Sequence, residues 1–399
     1  MAPTLKPSIT SSLHAYIDSA TSSPTSALPG AIVQIVDAQG HALSTHATHT
    51  HTPETLFSIH SCSKLIGDLA LLQHVDRGLA SLNSPTLIST HRAELWVKKV
   101  LVSSTTTSDG TPSPVFEDRK GAITARMLMT HTAGTGMSFN SQLRDYLGSA
   151  STGFDWLSVL IERITEKALE DVLREGIFEP LGIEIGGFRG EWGGRGVGGP
   201  EVDFWPASLR LADGSFMRIP GFAEEKVERE DAWPRGSTHV QSIATGLVLS
   251  VSDLAKIYSV LLPQNLGVEP VTGVRIVSAE AAAEVARVVH EEEIRHDCRD
   301  IPSASPFFLP CEMQAEHVDP VGCFTLGAVI QGEDRVLRDG RRGKSKGSIY
   351  WLGASNATYW VDDEKGIVVV VVANFFPFSD AKWVDFVAGL EGLLYEGLE

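Results

Sequence analysis

The sequence predicts an α+β protein. One antiparallel sheet is built from both ends of the chain and flanked by helices, with a mainly helical region inserted between them. Three observations carry that reading: a strand pair near the start, a late group of strands followed by a terminal helix, and a helix- and loop-rich stretch between. Residues 1–399 are expected to form a single unit. Its α/β part comprises 1–92 and 271–399, its helical and loop-rich part 93–270, and ligands are expected in the cleft between the two.

The elements follow in order. Ser8–Ala20 carries Ile9, Leu13 and Ile17 at four-residue steps, one face of a helix. Ser22–Pro29 is a turn-rich break. AIVQIVD, Ala31–Asp37, reads as a strand, and Gln39-Gly40 turns it into a second strand over His41–Thr45. Leu65, Leu69, Leu72 and Val75 share a helical face, and Gly78 is placed to stop that helix. Ile123–His131 is a helix candidate opened by Thr124. Leu157–Gly176 reads as one long amphipathic helix on Leu160, Ile164, Ala168 and Val172.

Gly182–Gly199 is a glycine-rich loop. It runs into Pro200 rather than a helix and lacks a GK[ST] ending, so it is not a phosphate-cradling loop. Ser250–Leu262 and Ser278–His290 read as helices. The charge runs Glu224–Asp231 and His290–Asp300 read as solvated faces or loops. The end reads as strands over Gly347–Trp351, Thr358–Val361 and Ile367–Asn374, then a helix over Ala381–Glu396.

Composition narrows the function classes. A chain of 399 residues that is 43% apolar and 21% charged is ordinary globular material, long enough to bury a core without staples. Its net charge of -17 argues against nucleic acid, which needs a basic footprint, and against an anionic membrane surface. Cys62, Cys298, Cys311 and Cys323 include no CxxC pair, so neither a disulfide scaffold nor a zinc ribbon is expected. The first 20 residues have no apolar core or cleavage pattern, and the longest apolar run, Ile367–Phe376, is too short to span a bilayer. A reduced, cytoplasmic protein is the expectation.

The strongest chemical signal is Ser61-Cys62-Ser63-Lys64, an SxxK at the start of an amphipathic helix. At i, i+3 the hydroxyl and the amine share a face and can hydrogen-bond. A serine needs a partner to take its proton, and a lysine desolvated by a core can be neutral enough to do so. Backbone N–H groups at the helix start favour a developing oxyanion. The plainer reading makes Ser61 an N-cap and Lys64 a surface residue of the first turn.

The surrounding stretch, LFSIHSCSKLIGDLALLQHVDRGLASLNSP, resembles the active-site helix of the serine β-lactamase-like family. That family includes class C β-lactamases, low-molecular-weight penicillin-binding proteins, esterases and fungal acyltransferases of the lovastatin side-chain type. Three later segments are similar to it in the same order: Ile123–Gly136 (ITARMLMTHTAGTG), Gly153–Ile183, and Gly347–Asp380. The resemblance spans about residues 8–396 and looks nearest to the fungal acyltransferase and esterase branch.

The resemblance implies a β-lactamase/transpeptidase-like fold with Ser61 as the acylated nucleophile and Lys64 as its proton partner. Trp351-Leu352-Gly353 falls where β-lactamases carry lysine-threonine-glycine and where esterase members carry tryptophan-x-glycine. Backbone N–H groups near Ser61 and Gly353 would hold the oxyanion. Loss of the carboxylate-binding lysine and threonine disfavours β-lactams and points to an ester or thioester. The implied partners are a small-molecule acyl donor, with a carrier-bound thioester among the candidates, and an alcohol acceptor. No cofactor or metal is implied.

One departure stands out. The family places a tyrosine, any residue and a small polar residue just before the GFDWL-like helix. Here the matching positions are Ser149-Ala150-Ser151, with Tyr146 three residues early. Three readings stay open. Tyr146 reaches the site, or Ser149 or Ser151 replaces it by carrying a water, or the acid–base group is missing. The last reading makes the chain an impaired or silent binding protein. A peptidase on D-amino-acid peptides is a minor alternative that lacks its lysine-threonine-glycine.

Other residues carry weaker signals. His239, in RGSTHVQSIATG, falls where the family lines its pocket and is a candidate substrate contact, as are Trp351, Gly353, Ser149 and Ser151. His41, His46, His49 and His51 lack the order and interleaved carboxylate of a metallo-hydrolase and read as a strand edge and loop. His131 is expected to hold the THTAG loop. Trp192, Trp205 and Trp233 read as acyl-pocket walls or as core, and Cys62 as a small buried residue. No GxSxG elbow exists, so an α/β-hydrolase would have no nucleophile.

Overall fold

The computed structural model describes residues 3–23, 27–110, 112–135, 152–188, 203–219, 241–288 and 322–399. Its main sheet has seven antiparallel strands. Their spatial order is Cys323–Phe324, Val329–Ile330, Ile349–Gly353, Ala357–Asp362, Ile367–Val372, Ile32–Asp37 and Ala42–Ala47. The two ends of the chain meet where Ile32 pairs with Val372 and Asp37 with Ile367. This is the two-ended sheet that the strand pattern predicts.

The side-chain period of two explains why IVVVVV can lie at the sheet centre with all six residues buried. Val369 and Val371 face one core with Val33, Ile35, Leu13, Ile17, Trp383 and Leu390. That core lies under the Pro7–Thr21 and Ala381–Gly397 helices. Val368, Val370 and Val372 face the other core with Ile32, Val36, Leu65, Leu69, Leu254 and Tyr258. That core is shared with the Ser63–Asp76 and Val251–Ser259 helices. The Asp37 carboxylate shapes the predicted turn by accepting from Gln39 N (2.9 Å) and His41 N (2.8 Å), with Gly40 at φ +78°.

A buried ion pair ties the terminal helix to the sheet. Glu391, fully buried, accepts from Lys344 Nζ at 2.8 Å and Lys344 N at 2.7 Å, with Arg335 3.6 Å away. Burial alone would raise the Glu391 carboxyl, but Lys344 and Arg335 more than offset it and hold it below the usual range.

Two differences from the sequence reading have physical reasons. The stretch Leu157–Gly176 is two helices, Gly153–Thr165 and Leu169–Leu173, the second running into a wider turn over Arg174–Phe178. The break is Glu166 in the left-handed region (φ +56°), and Glu162 Oε1 accepts from Leu169 N to cap the second helix. The first helix opens on a reciprocal capping box between Thr152 and Asp155. The region between the two ends of the sheet also carries strands that the pattern did not announce. These are a Val100–Thr106/Pro112–Glu117 hairpin and short strands at Gly187–Phe188, Ser208–Arg210, Phe216–Arg218 and Leu247–Leu249. Among the described residues, no helix is long and apolar enough to cross a membrane.

Candidate active site

Ser61 lies in a single 3-10 turn, His60–Cys62, that feeds directly into the Ser63–Asp76 helix. His60, just before it, is in the left-handed region at φ +47°. The Ser63 hydroxyl donates to the His60 carbonyl at 2.6 Å and so fixes the turn. Buried Tyr258 donates to the Cys62 carbonyl at 2.8 Å and stacks on Tyr359 at 4.0 Å, which pins the helix start to the sheet.

Lys64 is 3% exposed, not a surface residue of a first turn. Its Nζ donates to Ser61 Oγ at 2.7 Å and to the Ala244 carbonyl at 2.8 Å. Burial pushes the ammonium down to about 8, against the opposing pull of Asp155, Cys62 and Asp68. Phe154 places its ring 5.4 Å from the amine. Around neutral pH, part of the Lys64 population is therefore free amine within hydrogen-bond reach of a partly exposed hydroxyl. This is the combination that activates a serine.

The Ala244 carbonyl is held by a short relay. Asp155 accepts from Thr152 N at 2.6 Å and from the Ser242 hydroxyl, and Ser242 Oγ accepts from Ala244 N at 3.1 Å. Ser158 Oγ accepts from Ile243 N at 3.0 Å. The Gly153–Thr165 helix thus positions the peptide that positions Lys64. The spacing of Thr152 and Asp155 is a capping-box signal that the sequence reading missed, and their link to Ser242 has no local signal at all.

Gly353 ends its strand against the Ser61 turn. A Cβ there would sit 2.9 Å from the Ile59 carbonyl oxygen and 3.4 Å from Cys62 Sγ, so only glycine permits this approach. Trp351, two residues earlier, stacks on His131 at 5.4 Å, and Phe324 and Phe154 lie 5.4 and 5.2 Å from His131. His131 therefore joins an aromatic wall reaching from Trp351 to the Phe154 ring beside Lys64. Backbone bonds from Thr132 and Ala133 to the Met127 carbonyl hold its loop.

The remaining candidates divide. Ser61, Lys64 and Gly353 come together, with Trp351 beside them. Tyr146, Ser149, Ser151 and His239 lie outside the described residues, as do Trp192 and Trp233. Trp205 is 6% exposed and stacks on His51 at 4.1 Å, a core residue rather than a wall of this site. Cys62 is buried and its thiol is pushed up to about 12 by burial. His46 pairs with Asp18 at 2.7 Å, and among the described residues no cluster of three His, Cys, Asp or Glu is placed to hold a metal.

The chain is similar to several known proteins. A family model described as Beta-lactamase matches residues 20–390. The monacolin J acid methylbutanoyltransferase of Aspergillus terreus is 22% identical over 414 residues, 92% of each chain. The lovastatin esterase of Penicillium rubens is 29% identical over 199 residues, 40% of this chain and 48% of that one, so the match spans less than half of that relative. The solved structure of a LovD6 mutant of simvastatin synthase from Aspergillus terreus superposes with TM-score 0.76 at 21% identity, covering 98% of this chain and 95% of that one.

Proposed function

The chain belongs to the β-lactamase family, and on that premise we propose that it is a serine esterase or acyltransferase acting on an ester or thioester of a small molecule. The observation that carries the reading is the 2.7 Å hydrogen bond from buried Lys64 to Ser61 Oγ.

In this reading Lys64, as free amine, takes the Ser61 proton while Oγ attacks the acyl carbon. Backbone N–H groups of the Ser61 turn and of the strand end at Gly353 hold the oxyanion. The intermediate collapses as Lys64 returns the proton to the departing alcohol or thiol. The acyl-enzyme is then discharged to water or to an acceptor alcohol. The relatives' names, a methylbutanoyltransferase and a lovastatin esterase, are of transfer and hydrolysis respectively, and both fit this scheme. They support a small-molecule ester of secondary metabolism as substrate. The aromatic wall of Trp351, His131 and Phe324 suits the apolar acyl portion. Tyr146, Ser149 and Ser151 remain the proposed carriers of the acid–base group that discharges the acyl-enzyme, and His239 a proposed substrate contact.

The test is hydrolysis of short-chain p-nitrophenyl esters with and without an added alcohol. Wild type should release p-nitrophenol and divert acyl groups to the alcohol, and Ser61→Ala should do neither. Equal turnover by Ser61→Ala would reject the reading.

A further inference from the structure

Asp68 stands one turn beyond Lys64 on the same helix. It is fully buried, and neither carboxyl oxygen has a hydrogen-bond partner among the described residues. The turn joining Thr325 to Ala328 backs onto it so closely that a Cβ on Gly327 would lie 2.1 Å from Asp68 Oδ2. On the sheet side Tyr359 is also fully buried, its hydroxyl unpartnered among the described residues, and it lies near enough to interact with the Asp68 carboxyl.

Two acids near Lys64 differ in their surroundings. Asp155, from the Gly153–Thr165 helix, is partly exposed and receives donors from Thr152 and Ser242. Asp68 is fully buried and, among the described residues, receives no donor. A buried carboxylate without hydrogen bonds is strongly disfavoured and keeps its proton instead. Among the described residues the other groups near the amine are Ser61 Oγ, the Cys62 thiol, the Ala244 carbonyl and the Phe154 ring.

We infer that Asp68 is a positioning residue for Lys64: buried without a donor among the described residues, its carboxyl keeps its proton and stays uncharged, so no carboxylate one turn along the helix holds Lys64 as an ammonium, and the free amine can face Ser61. No proton passes directly between the two, since the hydrogen bonds of Lys64 Nζ go to Ser61 Oγ and the Ala244 carbonyl. An ionised Asp68 would instead fix Lys64 as an ammonium unable to take the Ser61 proton. Burial acts in this direction on both groups, pushing Asp68 well above and Lys64 well below their usual ranges. The inference rests on the Ser61–Lys64 reading, and its test separates the two.

Infrared spectroscopy of the full chain reads the carboxyl directly. At pH about 8, above buried Glu162 and partly exposed Asp363, both of which burial raises to about 7, most other acids are ionised. Wild type should show a protonated-carboxyl C=O band that persists in the inactive Ser61→Ala and disappears in Asp68→Asn. A spectrum without that band in wild type overturns the inference, whatever the activity. The pH profile gives the second readout. Asparagine mimics a protonated acid, so Asp68→Asn should keep the acid limb of kcat/KM within a few tenths of a pH unit of wild type. A fall of that limb by one unit or more would show that a charged Asp68 had been holding the proton on Lys64. Asp68→Ser, smaller and also neutral, serves if the asparagine variant does not fold, with the same two outcomes.

Discussion

Ile243 fills the space that a side chain on Gly67 would need: a Cβ there would lie 2.0 Å from Ile243 Cδ1. The contact seats the peptide carrying Ala244 on the helix three residues past Lys64, so it sets where the Ala244 carbonyl meets the amine. Gly67→Ala should displace that peptide, lower kcat at least tenfold and cost about 1–3 kcal/mol by overpacking. Gly67→Ala/Ile243→Val should recover part of both losses. Unchanged kcat in Gly67→Ala would show that the Ala244 contact does not matter to the chemistry.

Lys64 sets the pH range. Its ammonium titrates at about 8, and only the free amine can accept the Ser61 proton. kcat/KM should therefore rise with pH through about 8 and fall tenfold per unit well below it. Lys64→Arg keeps the positive charge but has no free base in this range, and should lose roughly 10²–10⁴-fold in kcat. A pH-independent rate between 6 and 9, a range spanning about 8, would contradict this role.

The second-motif position is open to direct test. If Tyr146 supplies the acid–base group, Tyr146→Phe should slow deacylation by roughly 10²–10⁴-fold while Ser149→Ala and Ser151→Ala stay near wild type. Pre-steady-state burst kinetics distinguish the three variants, since slow deacylation leaves the burst and removes the turnover.

His60 carries strain just before the candidate nucleophile. A left-handed histidine costs about 1–2 kcal/mol, and glycine returns about 0.5–1 kcal/mol of that as chain entropy. His60→Gly should stabilise the fold by about 0.5–1 kcal/mol in urea denaturation, less what its edge contact with the Phe376 ring at 5.7 Å contributes. A clear loss of stability would mean that the ring contact outweighs the backbone strain.

Lys344→Met should cost about 3–5 kcal/mol, because it leaves Glu391 buried with the backbone N–H of residue 344 and, as cation, the more distant Arg335. Glu391 titrates below its unfolded value of 4.5, so the charged pair is complete from about 4.5 up to about 8, where burial makes Lys344 lose its proton, and its contribution is lost as pH falls through the lower, folded titration of Glu391. Urea midpoints of wild type and variant should therefore differ most at neutral pH and converge in acid.

The sheet was legible because its strands are local patterns: the valine run, the Gln39-Gly40 turn and the Ala31–Asp37 strand each announce themselves. Ser61 and Lys64 were legible because three residues on a helix fix their meeting. The break at Glu166 was hidden, since Leu160, Ile164, Ala168 and Val172 keep a helical step straight across it. The exposed hairpin around Thr106–Pro112 has too few apolar residues to show a period. The lysine's second partner, Ala244, lies 180 residues away in sequence, a distance no local pattern spans. Asp68 did leave a trace, as one acid inside the apolar run LIGDLALL, but only the structure shows that it is buried without a partner among the described residues.

The central claim is that Ser61 carries the acyl group. Wild type quenched during turnover of a p-nitrophenyl ester should show, by intact-mass and peptide mapping, a single acyl adduct on the peptide containing Ser61, with none in Ser61→Ala. An adduct that survives Ser61→Ala, or one mapped to another residue, would contradict it.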